Sequence, residues 1–174
     1  AAREAAAGLT AGGGRSMGAW LRLATRLFQA VPSATQRHVV LLTDGRDEDE
    51  SPEDLAAAVH EAAGLFQCDC RGLGADWDVA EVRSISTTLF GSVDLVPPPG
   101  DLIGALPGLG HEAVSRGAAD ARLHLWAPRH AEVLFVREVS PQAQQLTGRR
   151  IDVSRLVDGF PTGAWAEQTR DFHV

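Results

Sequence analysis

The stretch His38-Val39-Val40-Leu41-Leu42-Thr43 constrains this chain more than any other feature. It is apolar without alternation, so neither face is left for water, and it stops at the turn residues Asp44-Gly45. Such a run suits a parallel strand buried on both faces of a sheet. Its surroundings fit the same architecture. Met17, Trp20, Leu21, Ala24, Leu27 and Phe28 recur at helical spacing ahead of it, with Ser16 as N-cap and Pro32-Ser33 as the stop. After it, Ser51, Pro52 and Asp54 form a helix start that runs to Ala63, where Gly64 closes it. Leu65 to Leu73 predicts a strand, with Phe66, Cys68 and Cys70 on one face and Gln67, Asp69 and Arg71 on the other. Asp78 and Glu81 open a further helix with the stripe Val79, Val82, Ile85 and Leu89, and Ser92 to Val96 predicts a third strand. Pro97-Pro98-Pro99 stops that strand, a looser helix is read over 101–115, and a short Ala-rich helix over 3–9. Strand and helix in alternation predict an α/β fold with a doubly wound, Rossmann-like parallel sheet.

The rhythm changes after Ala118. Ala121–Ala127, Glu132–Val139, Ile151–Val157 and Ala164–Val174 read as strands, with Pro128, Pro141, Gly148 and Pro161 as punctuation. Consecutive strands joined by short turns predict an antiparallel β-sandwich unit. The expected division is an α/β domain over 1–117 and an incomplete β-sandwich domain over 118–174.

Composition narrows the function classes. The chain has 174 residues, 44% of them hydrophobic and 22% charged, and a net charge of −7. That is too apolar for a disordered chain. No run approaches the roughly 18–20 apolar residues of a membrane helix, and no signal-peptide pattern opens the chain, so a cytoplasmic protein is expected. All 16 basic residues are Arg. From Asp44 to Asp54 the acids are Asp44, Asp47, Glu48, Asp49, Glu50, Glu53 and Asp54, against Arg46 alone. A focused acidic cluster argues against nucleic acid as partner and suits cations or basic partners, and no membrane partner is expected. Its plainest reading is a solvated loop plus helix-start acids that suit the helix dipole. Cys68 and Cys70 are too close for a Cys-x-x-Cys pair and read as reduced, buried thiols. The four tryptophans read as packing residues, the histidines show no metal-ligand spacing, and no hydrolase or nucleotide-binding motif occurs.

The glycine loop Ala11-Gly12-Gly13-Gly14-Arg15-Ser16 opening a helix, and the strand ending in Thr43-Asp44-Gly45, together resemble a von Willebrand factor type A (VWA) domain of bacterial type. The tail, with Leu123–Trp126, Val133–Val136 and Pro161-Thr162-Gly163-Ala164-Trp165, is similar to the β-sandwich that follows this domain in a group of bacterial proteins. The resemblance implies a non-enzymatic protein-interaction module. It also implies a metal-ion-dependent adhesion site made of three motifs, of which one is intact here, at Asp44. The family's Asp-x-Ser-x-Ser segment is absent, and Arg15 stands where the family has a Thr after the glycines. Asp44 and Ser16 are the candidate metal ligands, with Arg15 able to pair with Asp44 in place of a cation. One carboxylate does not make a strong site. No tightly bound cofactor is therefore expected, and Mg2+ or Ca2+ binding depends on an upstream motif. The family's first, central strand is also missing, which would leave Val39–Leu42 as an apolar edge. The expectation is that upstream residues or another chain supply the remaining strands. The alternative reading is an enzyme or an anion-binding α/β protein that uses the strand-end crevice around Gly12–Ser16 and Asp44.

Overall fold

The computed structural model describes residues 14, 16–45, 49–74, 77–96 and 118–174. The helices expected over 3–9 and 101–115, Gly12, Gly13, Arg15 and the prolines 97–99 lie outside the described residues. The first unit runs α1 (Met17–Gln29), β1 (His38–Thr43), α2 (Pro52–Ala62), β2 (Gln67–Leu73), α3 (Val79–Thr88) and β3 (Val93–Val96). The strands form one parallel sheet in the order β1-β2-β3, with Val39 beside Cys68, Leu41 beside Cys70 and Cys70 beside Val93.

A sheet built strand by strand in one direction through right-handed crossovers carries its connecting helices on one face. The core agrees with this. Met17 and Leu21 of α1, Leu55, Ala58, Val59 and Ala62 of α2, and Val82 and Ile85 of α3 pack with Leu41, Cys68 and Cys70 of the sheet. Gly91 follows α3 at the start of the approach to β3, where a Cβ would overlap the backbone carbonyl of Cys68. The expected alternation in β2 holds, but its second face is not a solvent face: Asp69 and Arg71 are 2% and 5% exposed. At the sheet's other side β1 pairs no described strand beyond β2, and Val39, Val40 and Leu42 are half-buried.

The second unit is antiparallel throughout. One sheet has the order β4-β8-β7, made of Ala118–Trp126, Val157–Trp165 and Ile151–Ser154. The other has the order β6-β5-β9, made of Gln144–Gln145, Arg137–Ser140 and Asp171–His173. Phe160, Leu123 and Leu125 of the first meet Phe172 of the second, with Val136 and Leu146 from the segments flanking its strands, in a common core, as a sandwich requires. The strand bounds differ from the sequence expectation in several places: the strand expected over 151–157 ends at Ser154, and the one expected over 164–174 is the end of β8 and, after residues 166–170, the short β9. Residues 132–136 are not strand, and β5 starts at Arg137. Pro161 does not punctuate: it sits inside β8, opposite Arg122. The ladder with β7 ends at Gly159, so β8 has β4 as its only described neighbour there, and the N–H that proline lacks breaks no second ladder. Two of the four tryptophans also depart from a packing role, Trp20 being 41% and Trp126 66% exposed.

Candidate functional site

The carboxyl end of β1 is built by its own turn. Thr43 is buried, and its Oγ1 donates to Gly45 O at 2.9 Å and accepts from Gly45 N at 3.5 Å. This clamps the chain reversal and leaves Asp44 exposed at the strand tip. Ser16 caps α1, its Oγ accepting from Ala19 N at 3.3 Å. The loop after β1 closes onto the same helix end. Glu50 Oε2 accepts from Gly18 N at 2.7 Å, and Glu50 Oε1 accepts from Arg22 Nη1 at 3.1 Å. A carboxylate on the free N–H groups of a helix start satisfies both their hydrogen bonding and the helix dipole. Asp49 lies over Gly14, where a Cβ would overlap its carboxylate.

Part of the acidic run is therefore structural and not solvated. The Glu50 side chain is 6% exposed, and Arg22 also reaches Glu61 at 3.4 Å and the carbonyl of Asp54 at 2.9 Å. The sequence expectation of a solvated loop is corrected at Glu50. The signal that could have found it is Gly18, a glycine inside a helix, which leaves room for a close neighbour. Ser16 Oγ is engaged in the cap, Glu50 is held by Arg22 and Gly18, and Asp44 is exposed. No group of three His, Cys, Asp or Glu side chains placed for a metal occurs among the described residues.

The second polar centre lies on the face of the sheet turned to the β unit, and nothing in the spacing of the sequence marked it. Asp69 Oδ2 is 2.7 Å from His38 Nε2, while Asp69 Oδ1 accepts from Ser92 N at 2.7 Å and from Ser92 Oγ at 3.1 Å. Arg71 Nη1 donates to Ser92 Oγ at 3.0 Å and lies 3.3 Å from Asp94 Oδ2. Ser, His and Asp are all present, but they are not wired as a nucleophile and its base. His38 and Ser92 both bond the same carboxylate, and the serine proton is directed at Asp69. The arrangement resembles a buried polar clamp between β1, β2 and the approach to β3.

The β unit docks onto this face. Ala164 N donates to Gln67 Oε1 at 3.2 Å. Arg149 Nη2 and Gln144 Nε2 both donate to Thr87 O, at 2.7 and 2.6 Å, in the last turn of α3. Arg149 also stacks 4.1 Å above the ring of Phe90, whose φ of 55° is left-handed. Burial lowers the Arg149 pKa, and Nη1 is buried without an acceptor among the described residues. Glu138 and Arg170 face the same junction 3.5 Å apart, 3% and 10% exposed. Burial raises the Glu138 pKa above its ordinary 4.5, and the Arg170 charge opposes the rise. A cavity of about 370 Å³ between the units is lined by Arg37, Leu65, Phe66, Phe90, Arg122 and Ile151 among others.

A parallel sheet with helices on its crossovers, a Thr-Asp-Gly turn at a strand's carboxyl end and a glycine-opened helix beside it define a Rossmann-like α/β domain of the VWA class. The family profile described as von Willebrand factor type A domain matches residues 1–93. A solved structure described as von Willebrand factor type A from Catenulispora acidiphila is 41% identical, with a TM-score of 0.89 over 98% of this chain. The chain belongs to the von Willebrand factor type A domain family. It spans 40% of that solved chain. The ArnB paralog VWA2 from Sulfolobus acidocaldarius is 14% identical over 82% of this chain and 36% of its own, with a TM-score of 0.38, and carries no argument here. No curated protein matches the chain.

Proposed function

We propose that this chain is a non-enzymatic protein-interaction module whose metal-ion-dependent adhesion site is incomplete. The observation that carries this reading is the state of the strand-end corner. Ser16 and Glu50, two oxygen donors of this corner, are spent on the α1 N-terminus and on Arg22. The wiring of Ser92 and His38 to Asp69 supports the non-enzymatic part, because the imidazole is bonded to the carboxylate and not to the serine hydroxyl, so the two do not form a nucleophile and its histidine base. A protein partner is the proposed ligand, with neither nucleic acid nor membrane involved, and the cytoplasm is the proposed compartment. Among the described residues no helix is long and apolar enough to cross a membrane. The far edge of β1, with Val39, Val40 and Leu42 half covered, is the proposed seat of further strands from this protein or another chain.

Titration calorimetry with MgCl2 and with CaCl2 tests the site. The expected result is no binding in the low micromolar range. A one-site isotherm abolished by Asp44→Ala overturns the reading and means that other groups complete the shell. A one-site isotherm with inorganic phosphate, lost on Arg15→Ala, favours the anion-binding alternative.

A further inference from the structure

Among the described residues, the helix layer carries a groove that no other element fills. It runs between α2 and α3 and has a volume of about 370 Å³. On α2 the positions 52, 55, 56, 59 and 60 form one helical stripe, and on α3 the positions 81, 84, 85 and 88 form the facing one. Leu55, Val59 and Ile85 make an apolar floor, and the exposed small residues Ala56 and Ser84 keep the rims low. Glu81 lines the same groove, and its Oε2 is buried with no hydrogen-bond donor among the described residues. A buried carboxylate oxygen without a donor is rare in a folded chain, and a ligand donor would satisfy it. The first turns of both helices carry acids, while His60 lines the other end of the groove and Arg22 bonds the Asp54 carbonyl on the α1 side of α2. Glu53 and Asp54 stand in the first turn of α2, and Asp78 caps α3. Both helices follow parallel strands, so these acids gather at the same end of the groove as Glu81.

We propose that this groove docks a basic amphipathic helix of a partner protein. The partner's apolar residues lie on Leu55, Val59 and Ile85, and an Arg or Lys at one end meets Glu81. The inference deepens the interaction reading above but uses neither Asp44 nor Ser16. Helix-in-groove recognition reads apolar anchors at i, i+3 or i+4 and i+7, which is the spacing that two parallel ridges accept. A cation fits for two reasons: it gives Glu81 Oε2 its donor, and it complements the acidic end.

A displayed library of random peptides, each about four helical turns long, panned against the full 174-residue chain tests this. Enriched peptides are expected to carry apolar residues at helical spacing and Arg or Lys at one end. Their affinity is expected to fall about tenfold or more with Ala56→Arg, which fills the groove, and with Glu81→Gln, and to weaken with added salt. Both positions permit the change without loss of fold, which thermal melts check. Asp44→Ala is expected to leave binding unchanged, so failure of the adhesion-site reading and failure of the groove are distinguishable. Enrichment of acidic peptides, binding indifferent to both groove variants, binding lost on Asp44→Ala, or no enrichment over the Ala56→Arg chain overturns the proposal.

Discussion

Gly18 and Glu50 show how a single residue decides a local structure. Glycine inside a helix ordinarily costs about 0.5–1 kcal/mol against alanine. Here the missing side chain is the space that the Glu50 carboxylate occupies, and a Cβ at Gly18 would collide with it. Gly18→Ala is therefore expected to destabilise by about 1–2 kcal/mol, the displacement outweighing the helix gain. In a Glu50→Ala background the same change is expected to stabilise, a reversal of sign that urea unfolding of the four chains would reveal. Gly91→Ala meets the Cys68 backbone instead of a movable side chain, so it is expected to cost about 2–3 kcal/mol, at the upper end of overpacking. Cys68 and Cys70 are fully buried, and their mutual hydrogen bond together with burial pushes the Cys68 thiol pKa well up. Iodoacetamide is expected to label neither thiol in the native chain and both after unfolding; rapid native labelling would contradict the packing.

At the scale of elements, α3 touches both units. Its inner face joins the α/β core through Val82 and Ile85, while its last turn receives Arg149 and Gln144 from the β unit. A cation at a helix C-terminus is favourable, and so is one above an aromatic ring. Arg149→Ala removes both and leaves Thr87 O with the Gln144 bond. A loss of about 1–2 kcal/mol is expected, with faster proteolysis between the units. A variant with unchanged unfolding and cleavage would mean that the Gln144 and Ala164 hydrogen bonds and the packing of Phe90 suffice to hold the junction. The elements themselves were largely legible in the sequence: α1, β1, α2, β2, α3 and β3 follow from apolar spacing and caps within a residue or two. The β unit was less so. Its strands are short, and Pro161 reads as a breaker until the end of β7 at Gly159 shows why β8 tolerates it.

For the whole molecule, the junction places a carboxyl group where water is scarce, and this has a pH signature. Glu138 binds its proton more tightly folded than unfolded, because burial raises its pKa above 4.5. Its protonation therefore favours the native state. The stability it contributes is full below pH 4.5 and is lost as pH rises through the raised native value. The unfolding free energy of the native sequence is expected to fall relative to that of Glu138→Gln as pH climbs from about 4 toward 7. A flat difference would show that Arg170 cancels the burial cost. The sequence by itself determined the α/β rhythm, the change to antiparallel strands after Ala118, the β1 turn at Thr43-Asp44-Gly45 and the family resemblance, because these rest on local spacing and short motifs. Only the tertiary structure decided that Glu50 leaves the acidic loop to cap α1, that Asp69 gathers His38 and Ser92, and that Glu81 is buried in a groove between helices. Each of those depends on residues 10 or more positions apart meeting in space, and hydrophobic periodicity carries no information about which polar groups then face one another.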